Sequence, residues 1–263
     1  MNTGLQGKVA IITGASRGIG KAIALAFAHE GMRLVICARG EEQLKITEEE
    51  IKDRYHTEVV IVKANTTRLN DIKRVVSKAI AKYKRIDILV NNAGGAHVGG
   101  IFQFTDEDFE NHIHLKVLGY IRTAREVIPY MQQQGGGRII NIIGTAGKEP
   151  APFMMLPGIT NGALLNFTKA LAAELAHHKI TVNAVNPGTT ETLLTEQTLS
   201  AKSILQEKSI EEIKQALINS NPFERLAKPE DVASAVIFLS SDAASFISGI
   251  SVNVDGGTVC SSA

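Results

Sequence analysis

Tryptophan is absent from this 263-residue chain, and cysteine occurs twice, at Cys37 and Cys260. Two cysteines so placed make neither a disulfide framework nor a metal site, so no metal is expected. Neither sign of charge dominates: 28 Lys and Arg stand against 27 Asp and Glu, a formal net charge of +1. Nothing in that balance points to nucleic acid or an acidic membrane as a partner. No apolar run reaches membrane-spanning length. The first residues, Met1 to Lys8, lack a basic start followed by an apolar stretch. The expectation is therefore a cytoplasmic protein without a secretory signal.

Hydrophobic residues make up 44% and charged residues 21%, close to the globular average. The length fits one α/β domain, expected over 1–263, with a large core. Short apolar runs at Val9–Thr13, Arg33–Ala38, Val59–Lys63, Ile86–Asn91, Arg138–Ile143, Thr181–Asn186 and Ser251–Val254 predict strands. They are nearly continuous in Val, Ile and Leu, as strands buried on both faces must be. Helical patterns fall between them at about Ile19–Glu30, Glu41–Arg54, Leu69–Tyr83, Thr105–Gln133, Ile159–His177 and Lys228–Leu239. Such alternation predicts a parallel, doubly wound sheet. The stretch 189–221 breaks the rhythm, with much Ser, Thr and Gln and a helical pattern near Ile210–Ile218. Its place between a strand and a late helix suits a substrate lid.

Between the first strand and first helix, glycines fall at 14, 18 and 20 within Thr13–Gly20. The spacing is not the common G-x-G-x-x-G. The strand before it and the helix after it supply the context of a dinucleotide cradle, in which backbone amides approach a pyrophosphate. Three more motifs close later strands: Asn91-Asn92-Ala93-Gly94, Asn186-Pro187-Gly188 and Asp255-Gly256-Gly257.

In order and spacing, these four motifs resemble the short-chain dehydrogenase/reductase family over essentially the whole chain. The resemblance implies a single-domain Rossmann-type doubly wound parallel sheet of about seven strands flanked by helices. It implies that Gly14, Ser16, Gly18, Ile19 and Gly20 hold the pyrophosphate and adenosine ribose. Asn92, Ala93 and Gly94 would line the path to the nicotinamide, and Pro187, Gly188, Thr190 and Thr192 would contact its carboxamide. Asn65 stands where the family usually has an aspartate near the adenine, and its amide both accepts and donates. An acidic residue ending the second strand would repel a 2′-phosphate. This chain has Ala38 there, then Arg39, with Arg17 in the glycine loop, so NADP(H) is the expected coenzyme.

The family's proton-handling side chains are expected in the segment 144–161. Members typically carry a serine after the fifth strand, a tyrosine thirteen positions on, and a lysine four beyond it. Those positions fall here on Gly144, Pro157 and Asn161, and the family's helix asparagine falls on Lys116. The nearest tyrosines, Tyr120 and Tyr130, are not followed four residues later by lysine. Thr145 lies one step from the serine position. The asparagine and lysine thus look exchanged between Lys116 and Asn161, which makes Lys116 the candidate catalytic group. His97 and His112 are alternative acids, and the spacing of His112, Lys116 and Tyr120 gives them a shared helical face, for a relay or for a partner subunit.

Three activities stay open on the sequence. One is an NADP-dependent carbonyl or hydroxyl oxidoreductase with a non-standard proton relay, acting on a small-molecule substrate. The second is a non-catalytic NADP-binding subunit or sensor, and the third a lyase or isomerase using the same cleft. The resemblance implies a homo-oligomer, dimer or tetramer, assembled through the helices at Thr105–Gln133 and Ile159–His177; a hetero-oligomer fits the second activity. Ala163, Leu164, Phe167, Ala170, Leu171 and Leu175 form an apolar stripe suited to core or interface.

Overall fold

Seven aliphatic runs form seven strands: β1 (Val9–Thr13), β2 (Arg33–Ala38), β3 (Val59–Lys63), β4 (Ile88–Asn91), β5 (Gly137–Ile142), β6 (Ile180–Pro187) and β7 (Ser251–Val254). They make one sheet in the order β3-β2-β1-β4-β5-β6-β7, parallel at every pairing. The computed structural model describes residues 3–95 and 97–260; Met1 and Asn2 of the N-terminal stretch read above lie outside the described residues.

Nine α-helices accompany the strands among the described residues: α1 (Gly18–His29), α2 (Glu41–Tyr55), α3 (Leu69–Tyr83), α4 (Asp106–His112), α5 (Leu118–Gln133), α6 (Met155–Leu175), α7 (Leu193–Gln206), α8 (Ile210–Asn219) and α9 (Pro229–Ser240). Neighbouring strand residues serve opposite faces. Ile12 and Leu34 pack with Ile23, Phe27, Val236 and Leu239 of α1 and α9. Ile11 and Val35 pack with Val75, Val127 and Leu175 of α3, α5 and α6. Both faces being covered is why the strands read as unbroken apolar runs. The order of strands reverses between β1 and β4, and that reversal opens a crevice beyond their carboxyl ends. No described helix is long and apolar enough to cross a membrane.

Three elements differ from the sequence expectation. The single helix expected over Thr105–Gln133 is α4, a π-helical turn at Ile113–Val117, and α5. A π turn inserts extra backbone without disturbing which residues are apolar, so periodicity does not register it. The stretch 189–221 holds α7 besides α8; its start is capped by the Thr192 hydroxyl, which accepts from Thr195 N at 3.2 Å. Helix α6 begins at Met155, four residues before the expected start, with Pro157 in its first turn. Proline is tolerated there because first-turn amides have no helical acceptor.

Candidate active site

The glycine loop is tied to β4 by a closed set of hydrogen bonds. Thr13 Oγ1 accepts from Asn92 N (2.9 Å) and Ala93 N (3.1 Å). In return, Asn92 Nδ2 donates to Thr13 O (3.0 Å) and Gly14 O (3.1 Å). Gly14 has φ +67°, and a Cβ there would stand 2.9 Å from Ala93 Cα. At Gly20 a Cβ would stand 2.3 Å from Gly14 O. The two glycines are therefore required by the fold of the loop itself. Helix α1 starts without a side-chain cap, so its first-turn amides face the crevice as an anion cradle.

The crevice is a cleft of about 690 Å³, of a size that takes a dinucleotide end or a small ligand. The coenzyme-binding residues expected from the sequence all line it: Gly14, Ser16, Arg17, Gly18, Ile19, Gly20, Arg39, Asn65, Asn92, Ala93, Gly94, Pro187, Gly188, Thr190 and Thr192. Arg17 and Arg39 are exposed, and no carboxylate pairs with either among the described residues. Asn65 is half committed: its Oδ1 accepts from Thr67 N at 3.1 Å, which leaves the Nδ2 donors for a ligand. Its backbone N–H donates to Asp71 at 2.8 Å, and that bond, more than any other contact, holds the Asp71 carboxyl below the usual range. Amides free on α1, two unpaired guanidinium groups and a glycine loop closed to side chains fit a phosphorylated dinucleotide.

At the other end of the cleft, Lys116 projects from the π turn. Its Nζ donates to Ile143 O (2.7 Å) and to Asn161 Oδ1 (2.6 Å). Asn161 Nδ2 in turn donates to Gly144 O at 3.3 Å. Lys116 is buried, and burial pushes its ammonium down to about 8. Gly144, Pro157 and Asn161 line the cleft beside it, as does Thr145, whose hydroxyl has no partner among the described residues. Gly144 sits at φ +125°.

The other candidates are placed elsewhere. Tyr120 is buried, its hydroxyl donates to Ile142 O at 2.7 Å, and burial pushes it upward, so it stays protonated and internally bonded. His112 is buried with Nδ1 3.3 Å from His97 Nδ1, and neither ring lines the cleft. His112, Lys116 and Tyr120 all face inward, so they are no surface for a partner subunit. The apolar stripe of α6 divides: Leu164, Leu171 and Leu175 are core, while Ala163 and Ala170 are exposed. Among the described residues no cluster of three His, Cys, Asp or Glu could hold a metal ion.

Sequence reasoning named 189–221 as a lid with a helix near Ile210–Ile218, but not α7 or the side chains of this stretch that reach the cleft. Leu194, Thr198, Leu199 and Lys202 from α7, with Leu217 from α8, line the cleft together with Met154 and Pro157. Their i, i+4, i+8 spacing at 194, 198 and 202 was the available signal. Asn221 Nδ2 donates to Asp255 O at 2.9 Å and fastens the far end of this segment beside β7.

A family model described as Enoyl-(Acyl carrier protein) reductase matches residues 14–259. The 3-oxoacyl-(acyl-carrier-protein) reductase FabG of Thermotoga maritima is 36% identical over 255 residues, 97% of this chain and 99% of that protein. The L-sorbose reductase of Gluconobacter frateurii, solved with NADPH and L-sorbose, superposes with a TM-score of 0.93 at 32% identity, over 99% of this chain and 100% of that one. The 3-ketoacyl-(acyl-carrier-protein) reductase of Brucella melitensis, solved with NADH, gives 0.86 at 33% identity, over 97% and 99%.

Proposed function

This chain belongs to the short-chain dehydrogenase/reductase family of oxidoreductases, and on that premise we propose that it reduces a carbonyl compound with NADPH, Lys116 supplying the proton. The Lys116 ammonium in the cleft wall carries the reading. The bound coenzyme would supply hydride to the carbonyl carbon. Positions 144, 157 and 161, where the resemblance places serine, tyrosine and lysine, offer glycine, proline and asparagine. None of these donates a proton at neutral pH.

Lys116 meets the chemical requirement in a specific way. An ammonium has three N–H groups, and two are held by Ile143 O and Asn161 Oδ1. The third is left for the carbonyl oxygen. Once that proton is given up with the arriving hydride, the product is the alcohol, and the remaining amine has two N–H groups for the same two acceptors. Nothing in the wall must reorganise, which is the condition for efficient electrostatic help. Thr145 adds a hydroxyl to orient the oxygen, and solvent reprotonates the amine. Two unpaired arginines, with Ala38 in place of an acid, support NADP(H) over NAD(H).

The test is the loss of nicotinamide absorbance with a broad carbonyl panel across pH. Carbonyl reduction should fall as pH rises through about 8, where Lys116 loses its proton, and alcohol oxidation should rise over the same interval. Lys116→Met should lose about 10²–10⁴-fold in kcat while still binding NADPH. Coenzyme binding without turnover of any panel member would leave the non-catalytic subunit as the reading.

Two proposals complete this picture. The segment 189–221, with α7 and α8, acts as the substrate lid of one domain spanning 1–263. Homo-oligomer assembly uses the exposed face of α6 around Ile159, Ala163 and Ala170; light scattering on an Ile159→Arg variant reads it directly.

A further inference from the structure

The cleft wall holds no Asp or Glu among the described residues, yet it holds four cations: Arg17, Arg39, Lys116 and Lys202. Arg17 and Arg39 stand at the glycine-loop end, where the coenzyme phosphates belong. Lys116 is taken up at the reacting carbonyl. Lys202 remains. It lies two turns along α7 from Leu194, on the face that also carries Thr198, and all three line the cleft.

Lys202 differs from a solvated surface lysine. It is half-buried, and burial lowers its pKa. No carboxylate or carbonyl bonds its Nζ among the described residues, whereas Lys116 has two acceptors. Drawing an ammonium partly out of water costs free energy unless an anion or acceptor meets it. The described residues supply none, which leaves this ammonium on the cleft wall free to meet an anion carried by a ligand. The part of the wall supplied by α7 and α8 carries Leu194, Leu199 and Leu217 beside Thr195, Thr198 and Lys202. One ammonium with no second cation from α7 or α8 beside it on the wall matches a single negative charge.

We infer that the substrate is an oxo acid, its carbonyl oxygen received by Lys116 and its carboxylate held by Lys202 of the lid. The inference rests on the reductase reading above and narrows its substrate class. Hydride from bound NADPH, leaving NADP⁺, would add to the carbonyl carbon; the carbonyl π pair moves to oxygen, which takes its proton from Lys116. The carboxylate is unchanged and the product is the hydroxy acid. Because Lys202 belongs to a helix that lines the cleft, the same charge pair would draw the lid onto an anionic ligand.

The experiment uses the intact protein saturated with NADPH and three oxo acids of different reach, pyruvate, acetoacetate and levulinate, each beside its methyl ester. At least one acid should exceed its own ester in kcat/KM by about tenfold or more, the worth of one charge-assisted bond. Lys202→Met should bring that ratio close to one, and Lys202→Arg should preserve most of it. The Kd for NADPH should be the same in all three proteins. The inference is overturned if every ester matches its acid, if Lys202→Met keeps the preference, or if Lys202→Met weakens NADPH, which would make Lys202 a coenzyme contact. A second measurement separates it from the reductase reading: the heat of levulinate binding to the NADP⁺-saturated protein. If no acid or ester is reduced, the reductase reading fails. Levulinate binding that Lys202→Met abolishes would still uphold the anion site, and absence of binding in the parent would overturn it.

Discussion

Lys116 and His112 are both buried in the segment that the π turn disrupts, and the Lys116 charge disfavours a second one on His112. His112 is 1% exposed. Burial first, then the nearby positive charge of Lys116 and His97, pushes its pKa down from 6.5 to about 4. The folded chain thus keeps the ring neutral where the unfolded chain takes up a proton. Stability from this group is full above pH 6.5 and is lost as pH falls toward 4, by about 3 kcal/mol in total. Denaturant titrations of the parent and His112→Phe between pH 7 and 4.5 should show a shallower decline in the variant. Identical slopes would remove His112 from the account. Gly144 is constrained differently, because φ +125° disfavours any L side chain and a Cβ would lie 3.0 Å from Asn161 Nδ2. Gly144→Ser should cost about 1–3 kcal/mol in thermal denaturation and disturb the Asn161 contact to Lys116. Putting a serine back at this position is therefore not a neutral restoration.

The glycine loop, the strand ends and helices α7 and α8 are the elements that line the cleft. In the loop, Gly20→Ala would force a methyl to within 2.3 Å of Gly14 O, and backbone cannot yield there without moving Asn92. NADPH affinity measured by nicotinamide fluorescence should fall at least tenfold in that variant, while the far-UV spectrum stays that of an α/β protein. Unchanged affinity would mean the loop does not contact the coenzyme. This loop was legible in the sequence because its signal is local: strand residues, three glycines and a helix pattern in succession. The break in the α4–α5 region was not, since apolar spacing over Thr105–Gln133 suits a continuous helix and does not register a π turn at Ile113–Val117. Helix α7 was hidden for a similar reason. Its surface is rich in Thr, Ser and Gln, and only Leu199 of its residues is buried, so its apolar signal is weak.

Taken as a whole, the molecule separates its charges along one cleft. The arginines at the glycine-loop end should set coenzyme choice: Arg17→Ala with Arg39→Ala is expected to weaken NADPH by about 10–100-fold per guanidinium and leave NADH nearly unaffected. Calorimetry with both coenzymes reads this, and equal losses for both would assign the arginines to the shared pyrophosphate instead. The sequence by itself determined the doubly wound sheet, the position of the glycine loop and the residues at 116, 144, 157 and 161, because periodicity and short motifs are properties of neighbouring residues. Tertiary structure alone decided that Lys116 bonds Asn161 and Ile143, that Tyr120 is locked away on Ile142, and that Lys202 of α7 joins the wall. Those contacts join the π turn, α5, β5, α6 and α7, and no local spacing encodes a distance that only the packing of these elements against one another creates.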